Sequence, residues 1–248
     1  MAAVVPAERA EAARALMIEL FPEGFEERDL ADGIELAAYT DAGGEERVWA
    51  AFSTVSSARV DDGWDKRWRD FHRPIQVGRL WVGPPWETPP TELEAVVIDP
   101  GRAFGTGGHA TTRLCLELLL ELEPSSLVDV GCGSGVIAIA AARLGFAPVL
   151  AVDHDPAALA ATSRNARANG VELELSSADA LAGALPPVDV IVANISESSV
   201  TQLRPDAATR AVIASGYLES ERPALAGFQA VERRVLQGWA ADLFRRAE

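Results

Sequence analysis

The chain has 248 residues, 48% of them hydrophobic, enough to bury a sizeable core in one large domain or a main domain plus a small one. Its net charge of −15, with Lys66 as the sole lysine, argues against a nucleic-acid backbone as partner, because that contact needs a basic footprint. No run approaches the ~20 apolar residues of a membrane span, the N-terminus lacks a basic-then-apolar leader, and Cys115 and Cys132 belong to no metal-type cluster. A cytosolic protein with free thiols and no bound metal is therefore expected. The acidity suits steering of a basic protein partner, and equally a surface kept charged for solubility.

In chain order, Pro6–Leu20 reads as an amphipathic helix with Ala12, Ala15, Leu16 and Leu20 on its apolar face. Phe21–Leu30 and Gly33–Tyr39 read as strands joined by a turn at Ala31–Gly33. Glu45–Phe52 is ambiguous, and Ala58–Val60 reads as another short strand. Residues 1–60 thus form a small α/β module that carries much of the acidity. Residues 61–93 read as a connector: Trp64, Trp68 and Phe71 at helical spacing, a pattern more often packing than a cofactor box, then the breaker cluster at 83–90.

From Glu94 to the end, strands alternate with helices, which implies a parallel sheet with its ligand at the strands' carboxyl ends. The centre of this pattern is Val128–Ile137, VDVGCGSGVI, a buried strand that breaks at Gly131, Gly133 and Gly135 into a helix start. Such a turn presents backbone N–H groups and a helix N-terminus to a ligand; its bland alternative is a tight connection that binds nothing. Roughly 20 residues further on, the strand Val149–Val152 runs into Asp153, placed to accept hydrogen bonds from ribose hydroxyls. The spacing is G-x-G-x-G, with Val136 where the dinucleotide fingerprint has its third glycine, and Asp129 would repel a pyrophosphate. A cofactor with an adenosine end, no phosphate and a positive charge fits better, which points to S-adenosylmethionine. Asp129, Asp153, Asp179 and Asn194 all fall near strand ends and converge on one site. Residues 228–246 read as a terminal hairpin turning at Gln237-Gly238.

Before the central strand lies Phe104-Gly-Thr106-Gly107-Gly-His109-Ala-Thr-Thr112. It suits closure over a cofactor, with Phe104 stacking and Thr112 reaching a carboxylate; the alternative is a capping loop with Thr111 or Thr112 as the cap. His109 taken alone is more often structural than a general base.

The blocks DPGRAFGTGGHATT, VDVGCGSGVIAIAAARLG, VDHDP, VANI and ASGYL together resemble the bacterial ribosomal-protein lysine methyltransferases of the PrmA type, over roughly residues 60–246. The resemblance implies a Rossmann-like class I methyltransferase sheet at 94–248. It also implies an N-terminal ferredoxin-like substrate-recognition domain; because Met1–Ala7 reads as a poor strand, a truncated form is expected. By position, Thr112, Gly131, Asp153 and Asn194 would contact S-adenosylmethionine, and Phe104, Thr106, Gly107 and His109 would belong to the loop over cofactor and substrate amine. The acceptors implied are lysine side chains and the N-terminal amine of large-subunit ribosomal protein eleven. Asn194-Ile195 stands where related glutamine methyltransferases carry Asn-Pro-Pro-Tyr, which disfavours an amide acceptor. A lysine ammonium near pKa 10.4 must first lose a proton, and His109 is a candidate acceptor. Competing readings are a class I methyltransferase for another protein or small molecule, a non-catalytic cofactor-binding module, and, last, an NAD oxidoreductase.

Overall fold

The structure is a computed structural model that describes residues 1–21, 25–30, 32–38, 40, 42–57, 72–99, 108–183 and 185–247. The expected strand at 58–60, the aromatic residues Trp64, Trp68 and Phe71, and the loop residues Phe104, Thr106 and Gly107 lie outside the described residues. Two compact units divide the chain, Met1–Asp70 and Phe71–Glu248.

The first unit runs β1 (Ala2–Pro6), α1 (Ala10–Leu20), β2 (Glu26–Leu30), β3 (Gly33–Ala37), α2 (Ala42–Ala51) and β4 (Val55–Ser56). Its antiparallel sheet has the order β2-β3-β1-β4, the full ferredoxin-like βαββαβ arrangement. The expectation of a truncated domain is therefore corrected: Ala2–Pro6 is a strand, and an inner one. It pairs with β3 from Ala2↔Ala37 to Pro6↔Gly33 and with β4 on its other edge. Two alanines and a proline give it little strand propensity; pairing on both sides and burial of Ala3 and Val5 stabilise it instead. The face of α1 is also corrected. Ala10, Ala13, Arg14 and Met17 point inward, while Ala12 and Ala15 are exposed. Arg14 is admitted because the Glu27 carboxylate receives it, most closely from Nε to Oε2 at 2.9 Å and from Nη2 to Oε1 at 2.6 Å. The ambiguous stretch around Glu45–Phe52 is helix α2.

In the second unit, β5 (Ile75–Val77), β6 (Leu80–Gly83) and β7 (Glu94–Val97) form a three-stranded sheet. Then follow α3 (Ala110–Leu119), β8 (Leu127–Val130), α4 (Val136–Arg143), β9 (Val149–Val152), α5 (Pro156–Asn169), β10 (Glu174–Ser176), β11 (Val190–Asn194), α6 (Glu197–Val200), β12 (Ala211–Leu218), β13 (Phe228–Leu236) and β14 (Trp239–Arg246). The seven-stranded sheet has the order β10-β9-β8-β11-β12-β14-β13, with the first five strands parallel and β14 antiparallel to its neighbours. Counted by appearance, that is 3-2-1-4-5-7-6.

Both faces of this sheet are covered, so its central strands are apolar almost throughout. Along β8 the pleat sends Val128 and Val130 into a core shared with Ile191, Val212, Tyr217 and Phe244. Leu127 and Asp129 take the opposite face, where Asp129 meets the first turn of α4. Such burial contributes roughly 1.5–3 kcal/mol per large aliphatic side chain. Chain direction reverses its sheet order between β8 and β11, and the carboxyl ends of those two strands open the crevice in which an α/β sheet of this kind binds ligands.

Candidate active site

The floor of the crevice is the turn Gly131–Gly135. Its first two amides are drawn to the neighbouring strand: Gly131 N–H and Cys132 N–H donate to Val152 O at 2.8 and 3.1 Å. Val152 is followed by Asp153, whose carboxylate Oδ2 accepts Gly133 N–H at 3.0 Å and Oδ1 accepts Asp155 N–H at 3.0 Å. The acid at the end of β9 is thus tied to the turn at the end of β8. Asp155 itself caps α5 by accepting Ala157 N–H at 2.8 Å, with Pro156 as the first helical residue.

Asp129 lies one layer below. It is 1% exposed; Oδ2 accepts Ala138 N–H at 3.1 Å, and Oδ1 has no hydrogen-bond partner among the described residues. Burial pushes its carboxyl up to about 7, offset in part by the Ala138 N–H and reinforced by the charge of Asp153. Two acidic side chains bracketing one turn repel a phosphate and favour a cationic ligand. Asp153, an orphaned buried oxygen and the turn's backbone amides fit a cofactor that has a ribose diol and a positive charge, as S-adenosylmethionine does. Cys132 lies in the turn, but burial pushes its thiol up to about 12, and Cys115 is likewise buried and raised. Both remain thiols and poor nucleophiles at neutral pH.

The opposite wall comes from β11 and β12. Asn194, the last residue of β11, donates from Nδ2 to Oγ1 of the fully buried Thr112 in α3 at 3.4 Å. The next residue, Ile195, is gripped by two glycines. Gly131 has φ +72, and a Cβ there would lie 2.8 Å from Ile195 Cγ2. Gly216, at φ +99 and at the register shift of β12, would place a Cβ 2.5 Å from Ile195 O and 2.9 Å from Ile195 N. Replacing Gly216 with alanine is expected to cost about 2 kcal/mol, since the strained φ and the backbone clash act together, and to displace Asn194. Chemical unfolding of the variant checks the loss; an unchanged midpoint would mean that β12 relaxes around the methyl group.

His109, rather than Thr111 or Thr112, is the N-cap of α3, correcting the capping expectation. Its Nδ1 lies 2.8 Å from Thr111 Oγ1 and 3.4 Å from Thr111 N, and its ring meets Trp239 edge-on at 4.8 Å. To take a proton on Nδ1 the imidazole would have to release that cap. Asp179 stands three residues past β10, exposed, with Oδ1 accepting Leu181 N–H at 2.9 Å in its own turn. Asp129, Gly131, Gly133, Gly135, Asp153, Thr112, Asn194 and His109 therefore gather around the ends of β8, β9 and β11, and Asp179 lies at the same end of the sheet beside them. Three contributors escaped the sequence reading: Thr162, which donates to Gly133 O at 3.0 Å, Asn165, which donates to Ser134 O at 2.9 Å, and Gly216. The signal for the first two was present as a polar stripe, Thr162, Asn165 and Asn169, along an otherwise alanine-rich helix.

A profile of the ribosomal protein L11 methyltransferase (PrmA) family matches residues 7–242. The ribosomal protein L11 methyltransferase of Legionella pneumophila (strain Lens) is 41% identical over 205 residues, covering 75% of this chain and 69% of that protein. The one from Nitrosococcus oceani is 49% identical over 143 residues, 55% of this chain and 48% of that protein. Among solved structures, the ribosomal protein L11 methylase from Lactobacillus delbrueckii subsp. bulgaricus superposes with a TM-score of 0.63 at 32% identity, covering 71% of this chain and 100% of that one.

Proposed function

The chain belongs to the PrmA family of ribosomal protein L11 methyltransferases, and on that premise we propose that it methylates lysine side-chain and N-terminal amines of ribosomal protein L11. The observation that carries the cofactor half of this reading is Asp153, locked by two backbone N–H groups at the lip of the glycine turn. S-adenosylmethionine supplies an electrophilic methyl group on a sulfonium, open to in-line attack by a neutral amine.

What the chain contributes is positioning. Asp153 holds the ribose diol, and the turn 131–135 admits the amino-acid end of the cofactor. Asn194, fixed through Thr112 and through the packing of Ile195, lines the place where amine and methyl meet. The substrate ammonium must shed its proton before attack, and His109 accepts it at the expense of its hold on α3. Phe104, Thr106 and Gly107, which lie outside the described residues, are assigned to the cofactor from the sequence motif alone, and Asp179 is assigned to its adenine side. The N-terminal ferredoxin-like unit, with twelve acidic and four basic residues among residues 1–57, recognises a basic protein substrate. No helix among the described residues is long and apolar enough to cross a membrane, in keeping with work in the cytoplasm on a ribosomal protein.

The test is transfer of labelled methyl from S-adenosylmethionine to purified ribosomal protein L11, with mass mapping of the modified amines. Label on lysines or on the N-terminal amine is the expected result. Tight cofactor binding with no label on L11 would overturn the substrate and leave the cofactor assignment standing.

A further inference from the structure

We propose that Asn165 is a positioning residue of the cofactor site, a single amide that registers Asp99, just past the end of β7, against the glycine turn. Strand β7 lies at the edge of its sheet. Ile98 N–H turns inward to Gly83 O at 2.9 Å, so the alternating residues Val97 and Asp99 present their N–H and C=O groups to α5. Helix α5 answers with two asparagines one turn apart. Asn169 accepts Val97 N–H at 2.8 Å and donates to Val97 O at 2.6 Å, which substitutes for a missing strand partner. Asn165 does the same one step further along, accepting Asp99 N–H at 3.1 Å and donating to Asp99 O at 3.5 Å.

Of the two, only Asn165 also reaches the glycine turn; Asn169 Nδ2 donates instead to Asn165 O at 2.8 Å. Asn165 Nδ2 also donates to Ser134 O at 2.9 Å, inside the glycine turn, and its side chain is buried at 2% exposure. One turn earlier on the same helix, Thr162 holds Gly133 O. Two consecutive carbonyls of the turn are thus pinned from behind by α5, on the side away from Asp153, which takes Gly133 N–H. A rotation of the Asn165 amide therefore moves Asp99 and the shape of the turn together, whereas among the described residues Asn169 bonds the strand and its own helix.

The proposal rests on the cofactor assignment above, and its test separates the two. Asn165→Asp keeps the acceptor for Asp99 N–H and sets an oxygen against Ser134 O; Asn169→Asp makes the matched change without touching the turn. Binding of S-adenosylhomocysteine by calorimetry and the midpoint of thermal unfolding are measured for wild type and both variants. Expected is a loss of about tenfold or more in affinity for Asn165→Asp, within threefold of wild type for Asn169→Asp, at similar losses of midpoint. In turnover, KM for S-adenosylmethionine rises while KM for the protein substrate stays. Equal affinity losses in the two variants, or none in either, would overturn the positioning role. A wild-type protein that fails to bind S-adenosylhomocysteine would overturn the cofactor assignment and this proposal with it. Should Asn165→Asp not fold, Asn165→Ala against Asn169→Ala makes the same comparison without an added charge.

Discussion

Asp153→Ala is expected to weaken S-adenosylmethionine binding about a hundredfold while leaving the fold intact. An ionised carboxylate offers roughly four lone-pair sites. Two of those on Asp153 are taken, by Gly133 N–H and Asp155 N–H. The remainder match the two hydroxyls of a ribose. Hydrogen bonds to a charged acceptor are worth about 1.5–3 kcal/mol each, so losing two is a change of about two to four decades, the lower end applying at a lip that water reaches. The two released N–H groups lie at the lip of the crevice, where water can take them, so the stability cost stays small. Calorimetric titration with S-adenosylhomocysteine checks the affinity, and thermal unfolding checks the fold. An affinity within threefold of wild type would remove Asp153 from the ribose.

How far the sequence foretold the architecture depends on where each element's stability comes from. The parallel strands, buried on both faces, announce themselves as apolar runs, and the glycine turn, the Pro156-to-Gly170 helix and the Gln237-Gly238 hairpin carry their own boundary residues. Those elements are local in their causes. Strand β1 is not: its two alanines and terminal proline are held by partners 27 or more residues away. Periodicity points the wrong face of helix α1 inward because Arg14 counts as polar, and Glu27, brought across from β2, makes it a core residue. The candidate site divides the same way. Glycines and carboxylates at strand ends can be read from spacing. The grip of Gly131 and Gly216 on Ile195 joins three separate stretches, and the asparagine ladder of α5 joins a helix to an edge strand, so neither leaves a trace in local spacing.

Asp129→Asn is the substitution that isolates the electrostatics beneath the turn. In an unfolded chain this carboxyl titrates near 3.9, and burial in the fold lifts it to about 7. Between those values the folded state holds a proton that the unfolded state has released, so stability falls as pH rises through the window. Below about pH 4 both states are protonated and the group contributes nothing; above about pH 7 the full cost of a buried charge is present. Within the window the slope approaches 1.4 kcal/mol per pH unit for one proton. Asparagine keeps an acceptor for Ala138 N–H and does not titrate, so the variant should lack this slope and exceed wild type in stability at pH 8 by a few kcal/mol. The comparison is differential, which cancels Glu26, another carboxyl that burial raises to about 7. The same substitution acts oppositely on the ligand. A cation bound above the turn favours the ionised acid, so wild-type affinity for S-adenosylmethionine should climb from pH 6 to pH 8 more steeply than the variant's, with a proton released on binding. Denaturant midpoints across pH 4 to 8 decide the first half, and titrations in buffers of different ionisation enthalpy decide the second. Parallel stability curves would mean that Asp129 is ionised throughout, and the preference of this turn for a cation would then need no help from a proton.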